Sequence, residues 1–193
     1  MYDISNKLSY DGIMKLQTRA PKKEVEELFV LDDSCWLNVE GSESGNKNHF
    51  VKEQGEVVCK LLEKAFEKSN EPDIYIISPF TTVVDGIRNY IRSYCYKHPN
   101  TKIDSEYITG YEVKRIGTVH TFQGKEANEV IFLLGCDKSD GAKGAINWGN
   151  NNIVNVAVTR AKYRLYVIGD EEAWKKSACV SLARKYLKMH SVK

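Results

Sequence analysis

TVHTFQGKEANEVIF, residues 118–132, joins the end of one β-branched run to the start of another through a polar break centred on Gly124. Apolar runs on both sides of a short glycine-containing break predict two buried strands joined by a contact loop, not an amphipathic helix. Neighbouring segments repeat the theme. IYIIS (74–78) is apolar at nearly every position, as is the stretch from Glu129 to Gly135, and RLYVIG (164–169) follows suit. Strands of this kind are covered on both faces, as in a parallel sheet. Further strands are expected at CWLNV (35–39) and from Arg115 to Val119.

Between these runs the period becomes helical. Val51, Val58, Leu61, Leu62 and Ala65 mark one face of a helix over 50–68, and Val84, Ile87, Ile91 and Tyr94 mark a second that ends before Pro99. Shorter helices are expected over 24–31 and 153–161. A last one starts at Glu171, with Asp170 as N-cap and Trp174, Ala178, Leu182 and Tyr186 on its buried stripe. GSESGNKN (41–48) and the Gly/Asn/Asp-rich stretch from Gly135 to Asn152 read as loops, and residues 1–22, without a sustained period, as an arm packed on the rest. Strands alternating with helices predict a three-layer α/β domain with a mainly parallel sheet, one domain over 1–193.

Composition bounds the function classes. The chain of 193 residues is 42% hydrophobic and 28% charged, which suits an ordinary globule with a sizeable core. Its five cysteines are odd in number and never in C-x-x-C spacing, so no zinc site or disulfide framework is expected and a reducing, intracellular compartment fits, cytoplasmic, or nuclear in a eukaryote. No apolar run approaches the roughly 20 residues of a membrane helix. Net charge is only +2, but Lys175, Lys176, Arg184, Lys185, Lys188 and Lys193 crowd the end of the chain, as a basic patch or as a solvated helix face.

His120, Gln123 and Glu126 follow the strand ending near Val119, and α/β sheets build ligand sites at the carboxyl ends of their strands. Gly124 permits a tight turn and a close approach of its N–H to an anion. Glu126 offers only acceptors, suited to sugar hydroxyls. Arg160, between an apolar helix turn and a buried strand, holds a rigid fork of donors that matches phosphate. On the residues alone the loop reads first as a polar turn, and Arg160 as a helix-end cap or the partner of a carboxylate in its own domain, the commoner outcome for an isolated Arg.

Taken together, TVHTFQGKEANEVIF and NWGNNNIVNVAVTRAKYRLYVIGD (147–170) resemble the last two motifs of superfamily 1 helicases. The branch is that of the nonsense-mediated-decay RNA helicase and its DNA-replication relatives, with an AAA-type C-terminal helicase domain. ISPF (77–80) resembles a strand end of the same branch, and DISNKLSYDG (3–12) is similar to the stretch after its tyrosine-arginine motif. The resemblance implies a second RecA-like domain of P-loop NTPase-like fold, monomeric by itself, that closes over ATP and Mg²⁺ held by a first RecA-like domain. On matching positions Arg160 would be the arginine finger, Gly124 would meet the γ-phosphate, Glu126 the ribose, and Gln123 would shape the loop between them. Thr118 and His120, with Ser78, Pro79 and Thr81 at another strand end, would touch the backbone of single-stranded DNA or RNA.

The departures are equally definite. No G-x-x-x-x-G-K-[ST] loop occurs: GSESGNKN has the wrong spacing and GAKGAIN (141–147) also fails. No acidic pair of Walker B kind ends a strand, the tyrosine-arginine motif does not precede Asp3, and Phe80 and Val83 stand where the branch has Tyr and Gln. The chain alone is therefore expected to be without ATPase activity. The alternative is a stand-alone, degenerate RecA-like module that binds a single strand or a protein partner without catalysis. A small-molecule enzyme of doubly wound fold would need a dinucleotide fingerprint, which is missing.

Overall fold

Parallel pairing runs through the whole sheet of the computed structural model, which describes residues 2–9, 19–45, 48–110, 114–139 and 151–191. GAKGAIN, most of the Gly/Asn/Asp-rich stretch and the end of DISNKLSYDG lie outside the described residues. The strands are β1 (Cys35–Asn38), β2 (Ile74–Ser78), β3 (Ile116–Thr118), β4 (Ala127–Leu133), β5 (Ala161–Gly169) and β6 (Lys188–Ser191), in the order β3-β2-β4-β5-β1-β6. Every neighbouring pair is parallel.

Side chains alternate across such strands, and each face carries its own core. Ile74, Ile76, Ile131, Leu133, Tyr166 and Ile168 face α3 (Lys52–Lys68), α4 (Thr81–Lys97) and the short α5 (Ser105–Thr109). Ile77, Val130, Phe132, Leu165 and Val167 face α6 (Asn151–Arg160), α7 (Glu171–Trp174) and α8 (Ala178–Lys185). The five apolar residues expected on the first long helix are all buried, as are Val84, Ile87 and Ile91 of the second. The result is a three-layer, RecA-like α/β fold.

Four expectations are corrected. Residues 24–31 form only the single turn α2 (Lys23–Glu26), which buries nothing. The N-terminal segment begins as a helix, α1 (Tyr2–Ser9), packed on α6 and α8 with Ile4 fully buried. The terminal helix breaks in two. Asp170 does cap its start, accepting from the N–H groups of Glu172 and Ala173, but a turn at Lys175–Ser177 resets the helical phase. The second half therefore buries Cys179, Val180 and Ala183, while Ala178 and Tyr186 are exposed and Leu182 is half-buried. Finally, the chain closes in strand β6, whose sequence KMHS lacks strand-like composition and is held by backbone pairing with β1. The basic end is partly neutralised by ion pairs of Lys175 with Glu172, Arg184 with Glu171 and Lys188 with Asp33, which weighs against a free basic patch.

One buried carboxylate sits inside the sheet. Glu129, 4% exposed, receives the Val30 N–H at 2.9 Å and lies against the Tyr166 hydroxyl. That hydroxyl also meets the Leu31 carbonyl at 3.3 Å and accepts the Leu31 N–H at 3.1 Å. This network ties residues 30–31 to β4 and β5. Burial raises the Glu129 pKa, outweighing the lowering by the hydrogen bonds from Tyr166 and Val30. When protonated, Glu129 can donate to Tyr166, whose hydrogen then serves the Leu31 carbonyl, so every partner stays satisfied. A folded pKa above the unfolded value means that the folded chain binds more protons. The associated stability is full below the unfolded carboxylate range, about pH 4.3, and is lost as pH rises through the folded pKa. In urea unfolding between about pH 4 and pH 7, the wild type should lose stability relative to Glu129→Gln. Parallel pH profiles for the two proteins would contradict the assignment.

Candidate functional site

Thr118 ends β3 directly beside Ser78, the end of β2, so both mark the carboxyl edge of the sheet. β2 is also paired with β4 on its other side, with Ile77 beside Phe132. To enter β4 in parallel, the chain must return over β2 from the level of Leu133 to that of Ala127, roughly 20 Å at the usual strand rise. Residues 119–126 make this return through a 3₁₀ turn, Val119–Phe122, and a second turn in which the Lys125 N–H donates to the Phe122 carbonyl at 3.0 Å. The quoted segment therefore does not lie wholly at the carboxyl edge. His120 stays near that edge, whereas Gln123, Gly124 and Glu126 belong to the amino edge, where Ala127 opens β4 beside Ala161.

Arg160 meets this loop at the amino edge. It is the last residue of α6 and directly precedes β5. Its Nη1 donates to the carbonyls of Lys125 at 2.9 Å and Phe122 at 3.3 Å. Nε donates to the Val156 carbonyl at 3.3 Å, one turn back in its own helix, and Nη2 to Thr159 Oγ1 at 3.1 Å. Arg160 thus leans back on its own helix and holds the loop carrying Gln123 and Gly124. Phe122 anchors the same loop by stacking on Tyr75 at 4.4 Å between ring centroids. Gln123, Gly124, Lys125 and Glu126 are all exposed.

At the carboxyl edge the candidates differ in availability. Thr81, first residue of α4, and His120 are exposed, and Pro79 and Thr118 are half-buried. The Thr118 hydroxyl is 3.5 Å from that of Thr121. Ser78 is buried, its Oγ accepting the Phe80 N–H at 3.3 Å, so it shapes the turn and offers no surface. Phe80 packs between His49 at 4.9 Å and Trp174 at 6.2 Å, and Val83 is fully buried in the first core. The structure brings Arg160 together with residues 122–125, and Ser78 with Thr118, but keeps the two groups at opposite edges.

Two features went unread in the sequence. The carboxyl ends of β1 and β5 open on a cleft of about 560 Å³ lined by Glu40, Glu53, Asp137, Lys138 and Asp170, with Lys138 2.8 Å from Glu40 and 3.6 Å from Asp170. Beside it, ligand atoms of Glu43, His49 and Cys136 converge within 4.8 Å of one another. Neither has a local signature, since 87 positions separate His49 from Cys136 (136 minus 49). All five cysteines are free thiols, and among the described residues no helix is long and apolar enough to cross a membrane.

A parallel six-stranded sheet covered on both faces is a RecA-like architecture. A family described as an AAA domain matches residues 1–172, and the chain belongs to that family, in its superfamily 1 helicase branch. It is 30% identical over 182 residues to regulator of nonsense transcripts 1 of Dictyostelium discoideum, covering 90% of this chain and 13% of that protein. It is 28% identical over 137 residues to an ATP-dependent helicase of Schizosaccharomyces pombe (70% of this chain, 14% of that protein). ATP-dependent helicase NAM7 of Saccharomyces cerevisiae is 28% identical over 158 residues (80% and 14%). The chain thus spans only a small part of the length of these relatives.

Gly124 adopts φ +79°, and a Cβ there would meet nothing within 4 Å. Replacing it costs backbone energy without a clash. Gly124→Ala should lower stability by about 1–2 kcal/mol in denaturant unfolding, and Gly124→Asn by less, because Asn tolerates the left-handed region. Equal losses would show that the loop adapts in some other way.

Proposed function

We propose that the chain is the C-terminal motor domain of an ATP-dependent superfamily 1 helicase. In this reading it supplies an arginine finger and single-strand backbone contacts to a nucleotide site completed by a first RecA-like domain of the same polypeptide. The observation that carries it is the crossover 119–126, which has Arg160 fastened at the amino edge and the paired strand ends Ser78 and Thr118 at the other.

The residues of the amino edge suit an accessory role at a nucleotide. The guanidinium has five N–H donors, and four are committed to Val156, Phe122, Lys125 and Thr159. One Nη2 hydrogen remains for a phosphate oxygen, and the carbonyl contacts are exchangeable, because a charged acceptor makes the stronger bond. Open space beside Gly124 admits an anion next to its N–H. The exposed Glu126 carboxylate accepts from ribose hydroxyls, and Gln123 shapes the turn. With no phosphate-cradling loop in the sequence, the partner domain must hold ATP and Mg²⁺, which supply the phosphoanhydride bond to be broken. Arg160 then steadies charge that develops on the transferred phosphoryl group.

At the carboxyl edge, Thr81, His120, Thr118 and Pro79 form the strand-facing surface, and Ser78 holds the turn that presents them. Contacts of this kind read phosphate and sugar, so little sequence preference and a steep salt dependence are expected, with DNA or RNA as the single strand. An intracellular protein acting on nucleic acid is consistent with the free thiols.

In the full-length protein, Arg160→Ala should reduce ATP turnover by about 10³-fold or more while ATP binding is largely spared; turnover near the normal rate would sink the finger assignment. The chain alone should show no ATPase activity. Tight, salt-sensitive single-strand binding by the chain in a protein with no P-loop partner would favour the stand-alone binding module instead. His120→Ala should weaken single-strand binding without changing ATP affinity.

A further inference from the structure

We propose that Glu43, His49 and Cys136 form a binding site for a thiophilic divalent cation of the Zn²⁺ class, where the loop before α3 meets the loop after β4. The inference is independent of the helicase reading, because it rests on side chains that take no part in it. Among the described residues this is the one cluster of three such ligands, their donor atoms all within 4.8 Å of one another.

The ligand chemistry is selective. An imidazole, a carboxylate and a thiol make a mixed N, O and S set, which suits Zn²⁺ or Co²⁺ and disfavours Mg²⁺ and Ca²⁺ with their all-oxygen shells. His49 Nδ1 and Glu43 Oε1 lie 3.1 Å apart. The corresponding edge of a tetrahedron with metal–ligand bonds near 2.0–2.1 Å is about 3.3 Å, so these two ligands are already at coordination spacing. A modest approach of the Cys136 side chain completes three protein ligands, with water free to take the fourth position.

The backbone holds the ligands in place. His49 and Cys136 both adopt left-handed conformations, φ 57° and 63°, unusual for non-glycine residues. The Cys136 N–H donates to the His49 carbonyl at 2.8 Å, locking the two loops together. Outer contacts fix Glu43 in turn. Its own N–H donates to Asp137 Oδ2 at 2.8 Å, and its Oε2 accepts the His49 N–H at 3.2 Å. A ligand carboxylate anchored in this way has the support that metal sites draw from their surroundings. Cys136 is wholly buried, whereas the side chains of His49 and Glu43 keep 17% and 8% of their surface, which gives an ion a path from solvent.

Binding balances simply. The Cys136 thiol loses its proton to solvent and the thiolate sulfur bonds the cation, while the His49 proton moves from Nδ1 to Nε2 and leaves Nδ1 as a ligand. No redox change is involved. A cation here would brace the turn at 78–81, because the His49 ring packs on Phe80.

The test is a titration of the reduced, metal-free chain with Co²⁺. One equivalent should produce a thiolate-to-cobalt charge-transfer band and tetrahedral d–d bands, Zn²⁺ should displace it, and either ion should raise the Tm. Cys136→Ser should abolish the charge-transfer band. Glu43→Gln should weaken binding by about 10–100-fold, and Cys95→Ser, at a half-buried cysteine remote from the cluster, should leave it unchanged. Absence of a thiolate band at one equivalent, or its survival in Cys136→Ser, overturns the proposal. Should Cys136→Ser fail to fold, the near-isosteric Glu43→Gln decides, and unaltered affinity there overturns it equally.

Discussion

Strands β3 and β4 both lie beside β2 and both run parallel to it, so the chain leaving Thr118 has to be carried back across the sheet before Ala127 can pair. Parallel neighbours usually achieve this with a dozen or more residues and a helix. Residues 119–126 are too few for that solution: an α-helix over them would reach only about 12 Å, against the roughly 20 Å to be covered. Instead they coil through the 3₁₀ turn Val119–Phe122 and straight into a second turn, closed by the Lys125 N–H on the Phe122 carbonyl at 3.0 Å with Gly124 at φ +79°. The short link leaves no room for a crossover helix, and the candidate contacts at both edges hang from it.

Packing keeps the link seated. Val119 and Phe122 are buried in the second core, Phe122 stacked on Tyr75 of β2. Gly117 allows the turn to fold back onto β3, since a Cβ there would fall 2.7 Å from the side chain of Thr121. Arg160 then fixes the far end through two main-chain carbonyls. Each contact belongs to a different element, so the position of the loop reports on β2, β3 and α6 together.

Much of this was legible in the sequence, for identifiable reasons. Strands covered on both faces leave uninterrupted apolar runs, and IYIIS could hardly be anything else; the long helices show their period because one side is wet. Glu129 escaped notice because a lone acid in an apolar run carries no sign of the Tyr166 hydroxyl that receives it, 37 positions away. The strand KMHS depends on pairing with β1, 153 positions earlier in the chain (188 minus 35), and local pattern cannot show that. The site was legible as residue types and spacing. Its division between two edges was not, because that requires the strand order, and the cluster of Glu43, His49 and Cys136 requires the same knowledge.

The division gives the proposed helicase role its physical content. A guanidinium that holds the Phe122 and Lys125 carbonyls in the isolated domain cannot give all its donors to a phosphate as well. A phosphate oxygen is the stronger acceptor, so engagement of Arg160 across a domain cleft draws on the same hydrogen bonds that hold the loop. The Phe122 carbonyl still holds the Lys125 N–H at 3.0 Å when the guanidinium turns away, so the loop keeps its own turn while Arg160 reaches outward. In the proposed role, nucleotide contact and strand contact would then both draw on the one segment of residues 119–126, between the edge of Thr118 and the edge of Arg160.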